Sequence, residues 1–197
     1  MTVTETLSQE TIVAFLAEVF EQQGSREYMG EPVTIAQHML QAATIAEQNE
    51  QEEAIIVAAL LHDIGHFTSE LGIFTMEDSE DRHHDEAGAR TLAPFFPPLV
   101  TDCVRNHVAA KRYLCATRPD YRARLSVASQ HSLQLQGGAM TEAEVAAFEK
   151  QPHLKEILQV RYLDEAAKRP DLATPDFAHF APMLQRLVDS KGIASSA

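Results

Sequence analysis

The chain has 197 residues, of which 45% are hydrophobic, enough for a single domain with a buried core. A net charge of −13 argues against a nucleic-acid-binding protein, which needs a basic footprint, and against docking on an anionic membrane surface. No apolar run reaches about 18 residues, so we expect no transmembrane helix. The first ten residues do not resemble a signal peptide, and two cysteines cannot form a disulfide framework, which predicts a cytoplasmic protein.

The first three predicted elements are helices. An apolar stripe with helical spacing covers residues 12–20, and Thr34–Gln37 has the capping-box pattern that starts a second helix. Residues 54–61 are apolar at every position, a length that alone would also suit a buried strand. The preceding Gln51-Glu52-Glu53 and the alanine content favour a buried helix that ends near Gly65.

The middle of the chain alternates between helices and breaks. Residues 67–83 have no clear period and their centre is acidic, which predicts a loop or lid. We expect helices at about 84–93 and 98–114, separated by prolines, and a further break at Gly137-Gly138.

Three more helices are predicted towards the end of the chain. A second capping box lies at Thr141–Glu144, an apolar face around Ile157 continues to about Lys168, and Thr174-Pro175 opens the last helix. No alternating strand pattern and no repeat is present in the sequence. The chain therefore reads as one all-α domain of about eight helices over residues 1–191, with a frayed tail at 192–197.

Polar side chains lie on helix faces that the apolar pattern assigns to the core. His38 shares the apolar face of its helix, and His62-Asp63 follows the most apolar helix of the chain. Arg161 and Asp164 extend the apolar face of a later helix. Burying such groups alone is unfavourable, so each of them needs a partner or a metal ion.

Each of these residues has an ordinary explanation when taken alone. A single histidine on an apolar face is usually a hydrogen-bonded core residue, and an Arg–Asp pair one turn apart is usually an ion pair. The prediction of a site depends on their joint occurrence on separate helices: His38, His62, Asp63, His84, His107 and Asp164. Imidazoles with carboxylates suit iron, manganese or zinc, and the lack of cysteine ligands disfavours structural zinc.

The order of these residues resembles the HD-domain superfamily, an all-α group whose members are mostly metal-dependent phosphohydrolases. Its motif is present at Leu60–His66 as L-L-H-D-I-G-H. Four further motifs are Tyr28–Glu31, His107–Leu114, Leu135–Gly138 and Arg161-x-x-Asp164. With these motifs, the chain resembles the small HD-domain mixed-valence diiron oxygenases that cleave carbon–phosphorus bonds of 1-hydroxyphosphonates.

The resemblance implies an HD-domain helical bundle around two irons in the Fe(II)/Fe(III) state, with O2 as co-substrate. The six residues at the predicted site become the metal ligands, and His84 fits the family pattern better than the adjacent His83. Asp63 would bridge the irons. One iron would be completed by His38, His62 and Asp164, and the other by the remaining two histidines.

Other residues are candidates for binding the phosphonate group of the substrate. Lys111, Arg161 and His66 each lie one helical turn from a ligand, where they can bind phosphonate oxygens. A solvated helix face remains the alternative for Lys111, and a hydrogen bond that orients a ligand is the alternative for His66. The family pattern adds Ser129 and Gln136 as weaker candidates.

The family pattern also makes Tyr28 and Glu31 a mobile gate with a role in catalysis. Tyr28 would cap an iron until substrate displaces it, and Glu31 would then face the ammonium group of the substrate. An ordinary surface loop is the alternative interpretation of this segment.

Two substrates are known for such enzymes. One is 2-amino-1-hydroxyethylphosphonate, which gives glycine and phosphate, and the other is its N-trimethyl analogue, which gives glycine betaine and phosphate. The chain as a whole is more similar to the second type, whose 1-hydroxyl is installed by a separate hydroxylase without an implied stable complex. The alternatives are an HD phosphohydrolase, in which metal-bound hydroxide attacks phosphorus, and a regulatory HD domain without activity. We expect neither a nucleic-acid nor a membrane partner.

Overall fold

The computed structural model describes residues 7–28, 30–69 and 81–195. In these ranges the chain is all-α, as predicted. Its eleven described helices are α1 (Ile12–Gln23), α2 (Ile35–Gln48), α3 (Glu53–Leu61), α4 (Gly65–Thr68), α5 (His84–Leu92), α6 (Pro98–Thr117), α7 (Pro119–Arg124), α8 (Val127–Leu135), α9 (Glu142–Phe148), α10 (Leu154–Ala166) and α11 (Phe177–Ser195). None of these helices combines the length and apolar character needed to cross a membrane.

Both predicted capping boxes are present. The Thr34 hydroxyl accepts a hydrogen bond of 3.2 Å from the backbone amide of Gln37. In return, the side-chain oxygen of Gln37 accepts one of 2.9 Å from the backbone amide of Thr34. Thr141 and Glu144 repeat this exchange at the start of α9. Each box satisfies donors that a helix start otherwise leaves without a partner, which explains why these boundaries can be recognised from the sequence.

Helix α3 lies at the centre of the fold. All its residues from Ile55 to Leu61 are buried, and α2, α6, α10 and α11 pack around it. The all-apolar pattern of this segment therefore belongs to a buried helix, and the strand alternative was wrong. The packing brings the end of α3 to the middle of the molecule, with the described parts of α2, α5, α6 and α10 close by.

The eleven described helices are three more than the eight predicted. Helix α4 is a single turn of four residues, and α7 and α8 are short helices of six and nine residues in a stretch where none was predicted. Helices α7 and α8 bury few side chains, among them Tyr121 and Leu133, in a small apolar cluster apart from the main core. Such short elements carry too little periodic pattern to be recognised, because packing rather than sequence period stabilises them.

The last helix differs from its prediction at both ends. It begins at Phe177 rather than at Thr174-Pro175, and the Asp176 side chain accepts a bond of 3.3 Å from the His179 amide. It continues through Ser195, so residues 192–195 extend a helix where we predicted a tail. The backbone at Gly192 lies against the side chain of Gln9, which brings this end beside α1. Residues 196–197 lie outside the described residues.

The predicted loop at 67–83 is described only in part. Its first two residues belong to α4, and residues 81–83 are irregular and lead into α5. Residues 70–80, the centre of the predicted lid, lie outside the described residues. The single domain over residues 1–191 stays a prediction.

Candidate metal centre

Six buried ligand-type side chains meet where five segments of the fold converge. They come from α2, the turn after α3, the start of α5, the middle of α6 and the end of α10: His38, His62, Asp63, His84, His107 and Asp164. None is more than 7% exposed. The structure therefore brings together all six residues that the sequence assigned to a metal site.

Asp63 lies between two pairs of histidines. Its Oδ2 atom is 3.6 Å from Nε2 of His38 and 3.4 Å from Nε2 of His62. Its Oδ1 atom is 3.3 Å from Nε2 of both His84 and His107. One carboxylate thus presents one oxygen to each pair, which is the arrangement expected of a bridging ligand between two ions.

The two nitrogens of each pair are close enough to share one ion. The Nε2 atoms of His38 and His62 are 3.0 Å apart, and those of His84 and His107 are 3.1 Å apart. Two nitrogens bound at right angles, each about 2.1 Å from one ion, would be separated by about 3 Å. A cation in each gap fits this spacing.

In three of the four histidines, the other ring nitrogen is held by a backbone carbonyl. Nδ1 of His38 and Nδ1 of His62 lie 2.8 Å from the carbonyl oxygens of Ala167 and Ala59. Nδ1 of His107 lies 2.7 Å from the carbonyl oxygen of Val104. A carbonyl can only accept, so each Nδ1 carries a proton and each Nε2 is the atom directed at the centre.

Asp164 completes the first group. Its Oδ1 is 3.3 Å from Nε2 of His38 and 3.9 Å from Nε2 of His62. Asp164 Oδ1 and Asp63 Oδ2 are buried acceptors without a hydrogen-bond partner among the described residues. Buried carboxylate oxygens in proteins are rarely left without a donor or an ion, so these two atoms indicate a cation.

The electrostatics of the centre also favour a bound cation. Burial alone would raise the pKa values of the Asp63 and Asp164 carboxyls. The charge of His62 nevertheless holds the pKa of Asp63 well below its usual range, and the charge of Arg161 does the same for Asp164. Burial lowers the pKa of His62, but Asp63 and Asp164 outweigh it and raise it to about 9. The centre therefore attracts positive charge. Its imidazole and carboxylate donors suit a first-row transition metal.

A pocket adjoins the two groups of ligands. It is lined by Tyr28 and by all five residues that the sequence assigned to the phosphonate: His66, Lys111, Ser129, Gln136 and Arg161. The basic side chains of Lys111 and Arg161 suit an anionic group beside the six-residue set.

Lys111 is a buried basic side chain that lines the pocket. It is 3% exposed, and its Nζ donates a bond of 2.8 Å to the Ser132 hydroxyl. Burial and the charge of Arg161 lower the pKa of Lys111 to about 7. The solvated helix face considered for this residue was therefore wrong.

Arg161 has several partners within the protein. Its Nη1 donates a bond of 2.6 Å to Asp164 Oδ2, its Nε donates one of 2.8 Å to the Tyr121 hydroxyl, and it pairs with Glu165. It therefore lines the pocket and also forms the ordinary ion pair with Asp164, one helical turn away.

His66 is buried beside the second histidine pair. Its ring stacks on that of His84 with centroids 4.1 Å apart, and neither of its nitrogens has a hydrogen-bond partner among the described residues. Burial and the charge of His84 lower the pKa of His66 to about 3. The ring is therefore neutral and can still bind a ligand in the pocket.

Tyr28 is buried and Glu31 is partly buried, although Gly30 and Pro32 in the same segment are exposed. Tyr28 is 5% exposed, and its ring stacks on that of His38 with centroids 4.2 Å apart. Burial and the charges of the two site carboxylates raise its pKa. Glu31 points elsewhere: its carboxylate accepts a bond from Ser126 and lies 3.5 Å from Nζ of Lys168.

The sequence reasoning missed two residues that support the site. Lys168 donates a bond of 2.7 Å to the Ser129 hydroxyl and faces Glu31. Gln41 forms two bonds with the backbone of Arg169, which holds the segment that contains Ala167 and Lys168. Their positions one turn after His38 and Asp164 were an available signal.

Comparison with known proteins gives three results. The HD domain family matches residues 35–157. The chain is 66% identical over 183 residues, 93% of each chain, to the 1-hydroxy-2-(trimethylamino)ethylphosphonate dioxygenase (glycine-betaine-forming) of Leisingera caerulea. It is 43% identical over 172 residues, 85% of this chain and 84% of the other, to the hydroxymethylphosphonate dioxygenase of Gimesia maris.

Proposed function

The chain belongs to the HD domain family, and we propose that it is a dioxygenase that cleaves the carbon–phosphorus bond of 1-hydroxy-2-(trimethylamino)ethylphosphonate to give glycine betaine and phosphate. The observation that carries this proposal is the 66% identity over 93% of both chains to a dioxygenase of that name. The 43% identity to a hydroxymethylphosphonate dioxygenase supports the same bond cleavage. The buried ligand set supports dependence on a metal.

We propose iron as the metal, with two ions per chain. His38, His62 and Asp164 would hold one, the remaining two histidines of the set would hold the other, and Asp63 would bridge them. Two bound irons would supply the one-electron redox chemistry that a reaction with O2 requires. The carbonyl bonds to the Nδ1 atoms keep the rings oriented, so the site is preorganised for both ions.

The chain's own side chains would bind and position the phosphonate. Lys111 and Arg161 offer charge-assisted hydrogen bonds, while His66, Ser129 and Gln136 offer neutral ones. Tyr28, stacked on His38, covers the first ligand group and would have to move when the substrate binds. A phosphonate held at Lys111 would have its C1 atom and hydroxyl on the side of the pocket that the proposed metal ligands line.

The substrate's 1-hydroxyl requires an earlier hydroxylation of the parent phosphonate. We propose that a separate hydroxylase carries out that reaction, without a stable complex between the two proteins. The cytoplasmic location inferred from the sequence belongs to this proposal too.

The proposed function is tested by measuring whether oxygen uptake accompanies phosphate release. Protein loaded anaerobically with Fe(II) is given the N-trimethyl or the primary-amine substrate and then exposed to air. We expect oxygen uptake to accompany phosphate release, with a higher kcat/KM for the N-trimethyl substrate. Phosphate release without oxygen would support a phosphohydrolase instead, and a preference for the primary amine would reverse the substrate assignment.

Replacing Lys111 is expected to weaken phosphonate binding. Lys111→Met removes one charge-assisted hydrogen bond, which corresponds to an affinity loss of about ten- to a hundredfold. In the protein without substrate, Lys111 has a pKa of about 7 and is largely neutral at a higher pH. Binding of the dianionic phosphonate favours the charged lysine, so it should be accompanied by proton uptake in the wild type and not in the variant. Calorimetry in buffers of different ionisation enthalpy measures both effects. Lys150→Met, at an exposed position, is the control, and loss of iron with unchanged affinity would contradict this role.

A further inference from the structure

Helix α8 brings a second serine to the wall of the pocket. Ser132 is buried and lines the pocket together with Ser129. Its Oγ accepts the hydrogen bond of 2.8 Å from Nζ of Lys111. The same hydroxyl donates a bond of 3.3 Å to the backbone carbonyl of Ser129, one turn earlier in α8. Ser132 therefore links the lysine of α6 to the backbone of α8.

The two hydrogen bonds of Ser132 have a fixed direction. A backbone carbonyl can only accept, so the hydroxyl proton of Ser132 points at Ser129. A lone pair of Oγ then faces Lys111, which is the donor in the second bond. An ammonium group only donates, so this arrangement suits a charged lysine at the wall of the pocket.

Lys111 has no other anchor for its nitrogen in the described part of the chain. Its Nζ has a single hydrogen-bond partner among these residues, Ser132, and forms no ion pair with a carboxylate there. A lysine side chain has many rotamers, and fixing it costs up to about 2 kcal/mol of conformational entropy. The bond to Ser132 thus holds the nitrogen in place, and the other N–H groups of an ammonium are left for a ligand.

The neighbouring Arg161 shows the alternative way of holding a buried cation. It donates a bond of 2.6 Å to Asp164 and also pairs with Glu165, so its charge is shared with two carboxylates. Ser132 is neutral and holds Lys111 without balancing its charge. The positive charge of Lys111 is therefore available to an anion that enters the pocket.

We propose that Ser132 is a positioning residue for the phosphonate group, because it holds the Lys111 nitrogen at the wall of the pocket without neutralising it. The inference deepens the proposed function and rests on it for the identity of the ligand. Ser132 acts at the phosphorus end of the substrate. Its removal should therefore weaken a phosphonate and inorganic phosphate by a similar factor, whatever amine the ligand carries.

The experiment measures binding to the iron-loaded protein without oxygen, with the N-trimethyl hydroxyphosphonate and with inorganic phosphate. In Ser132→Ala we expect both affinities to fall about three- to tenfold, the effect of one hydrogen bond, with unchanged iron content. Ser132→Thr keeps the hydroxyl and should restore both affinities. Ser190→Ala is the matched control, because this exposed serine also donates to a carbonyl three residues earlier, that of Leu187. An unchanged affinity in Ser132→Ala, or a loss for one ligand alone, would overturn the proposal.

A double-mutant cycle tests whether Ser132 acts through Lys111. In a Lys111→Met background, Ser132→Ala should cause no further loss of affinity, because the nitrogen that it holds is gone. The full loss in both backgrounds, or wild-type affinity in Lys111→Met alone, would overturn the proposed route.

Phosphate release in air is assayed separately. Wild-type protein that binds the hydroxyphosphonate without oxygen-coupled phosphate release would contradict the proposed function, while the cycle would still decide the role of Ser132. Wild-type protein that binds neither ligand would overturn both.

Discussion

Asp63→Ala is expected to abolish oxygen-coupled phosphate release and to lower the iron content. Among the described carboxylates, only that of Asp63 presents one oxygen to each histidine pair, at 3.3–3.6 Å from their Nε2 atoms. Alanine removes both oxygens, so two bound ions would lose a shared ligand and the negative charge that reduces their mutual repulsion. The expected loss of kcat/KM is about a thousandfold or more, since metal-based stabilisation contributes several kcal/mol.

Metal analysis and electron paramagnetic resonance check this expectation. Wild-type protein should bind two irons per chain and give a mixed-valence signal after partial oxidation, whereas Asp63→Ala should lack that signal. Asp63→Asn keeps the shape but removes the charge, so it should also fail. Asp171→Ala, at an exposed position, is the control for loss of a carboxylate. Full turnover with two irons in Asp63→Ala, or one tightly bound zinc in active wild-type protein, would contradict the assignment.

Gly65→Ala is expected to destabilise the fold and to disrupt the second metal position. A Cβ atom at this residue would lie 1.7 Å from the carbonyl oxygen of His84 and 2.8 Å from the amide nitrogen of Gly88. Both neighbours are backbone atoms, so no side-chain rotation can relieve the overlap, and α4 and α5 must separate. His84 would then move away from His107 and Asp63.

The expected destabilisation is about 3 kcal/mol, which corresponds to a fall in Tm of about 6–12 °C for a chain of this size. Thermal unfolding followed by circular dichroism, together with iron analysis, measures both effects. Gly192→Ala is the control, because the nearest atoms to its Cβ belong to the flexible side chain of Gln9. A wild-type Tm and full iron content in Gly65→Ala would show that α4 and α5 can adjust without loss.

Much of the fold could be predicted because its signals are local. The capping boxes at Thr34 and Thr141 mark helix starts through bonds between residues three positions apart. The apolar run before His62 indicates a buried helix on composition alone. The short helices α7 and α8 escaped prediction because Tyr121 and Leu133 are stabilised by a small apolar cluster brought together only in the folded chain.

The six buried histidine and aspartate residues of the site were also predicted from the sequence, because imidazoles and carboxylates on apolar faces must find partners when buried and because their order resembles the HD-domain pattern. Only the tertiary structure decided how these side chains are arranged around one another. The division of the Asp63 oxygens between two histidine pairs depends on the packing of five separate segments. The orientation of His38 depends on the carbonyl of Ala167, and Glu31 forms an ion pair with Lys168, both far away in the chain. Residue type sets which bonds a group can form, but distances between remote segments set which of them it does form.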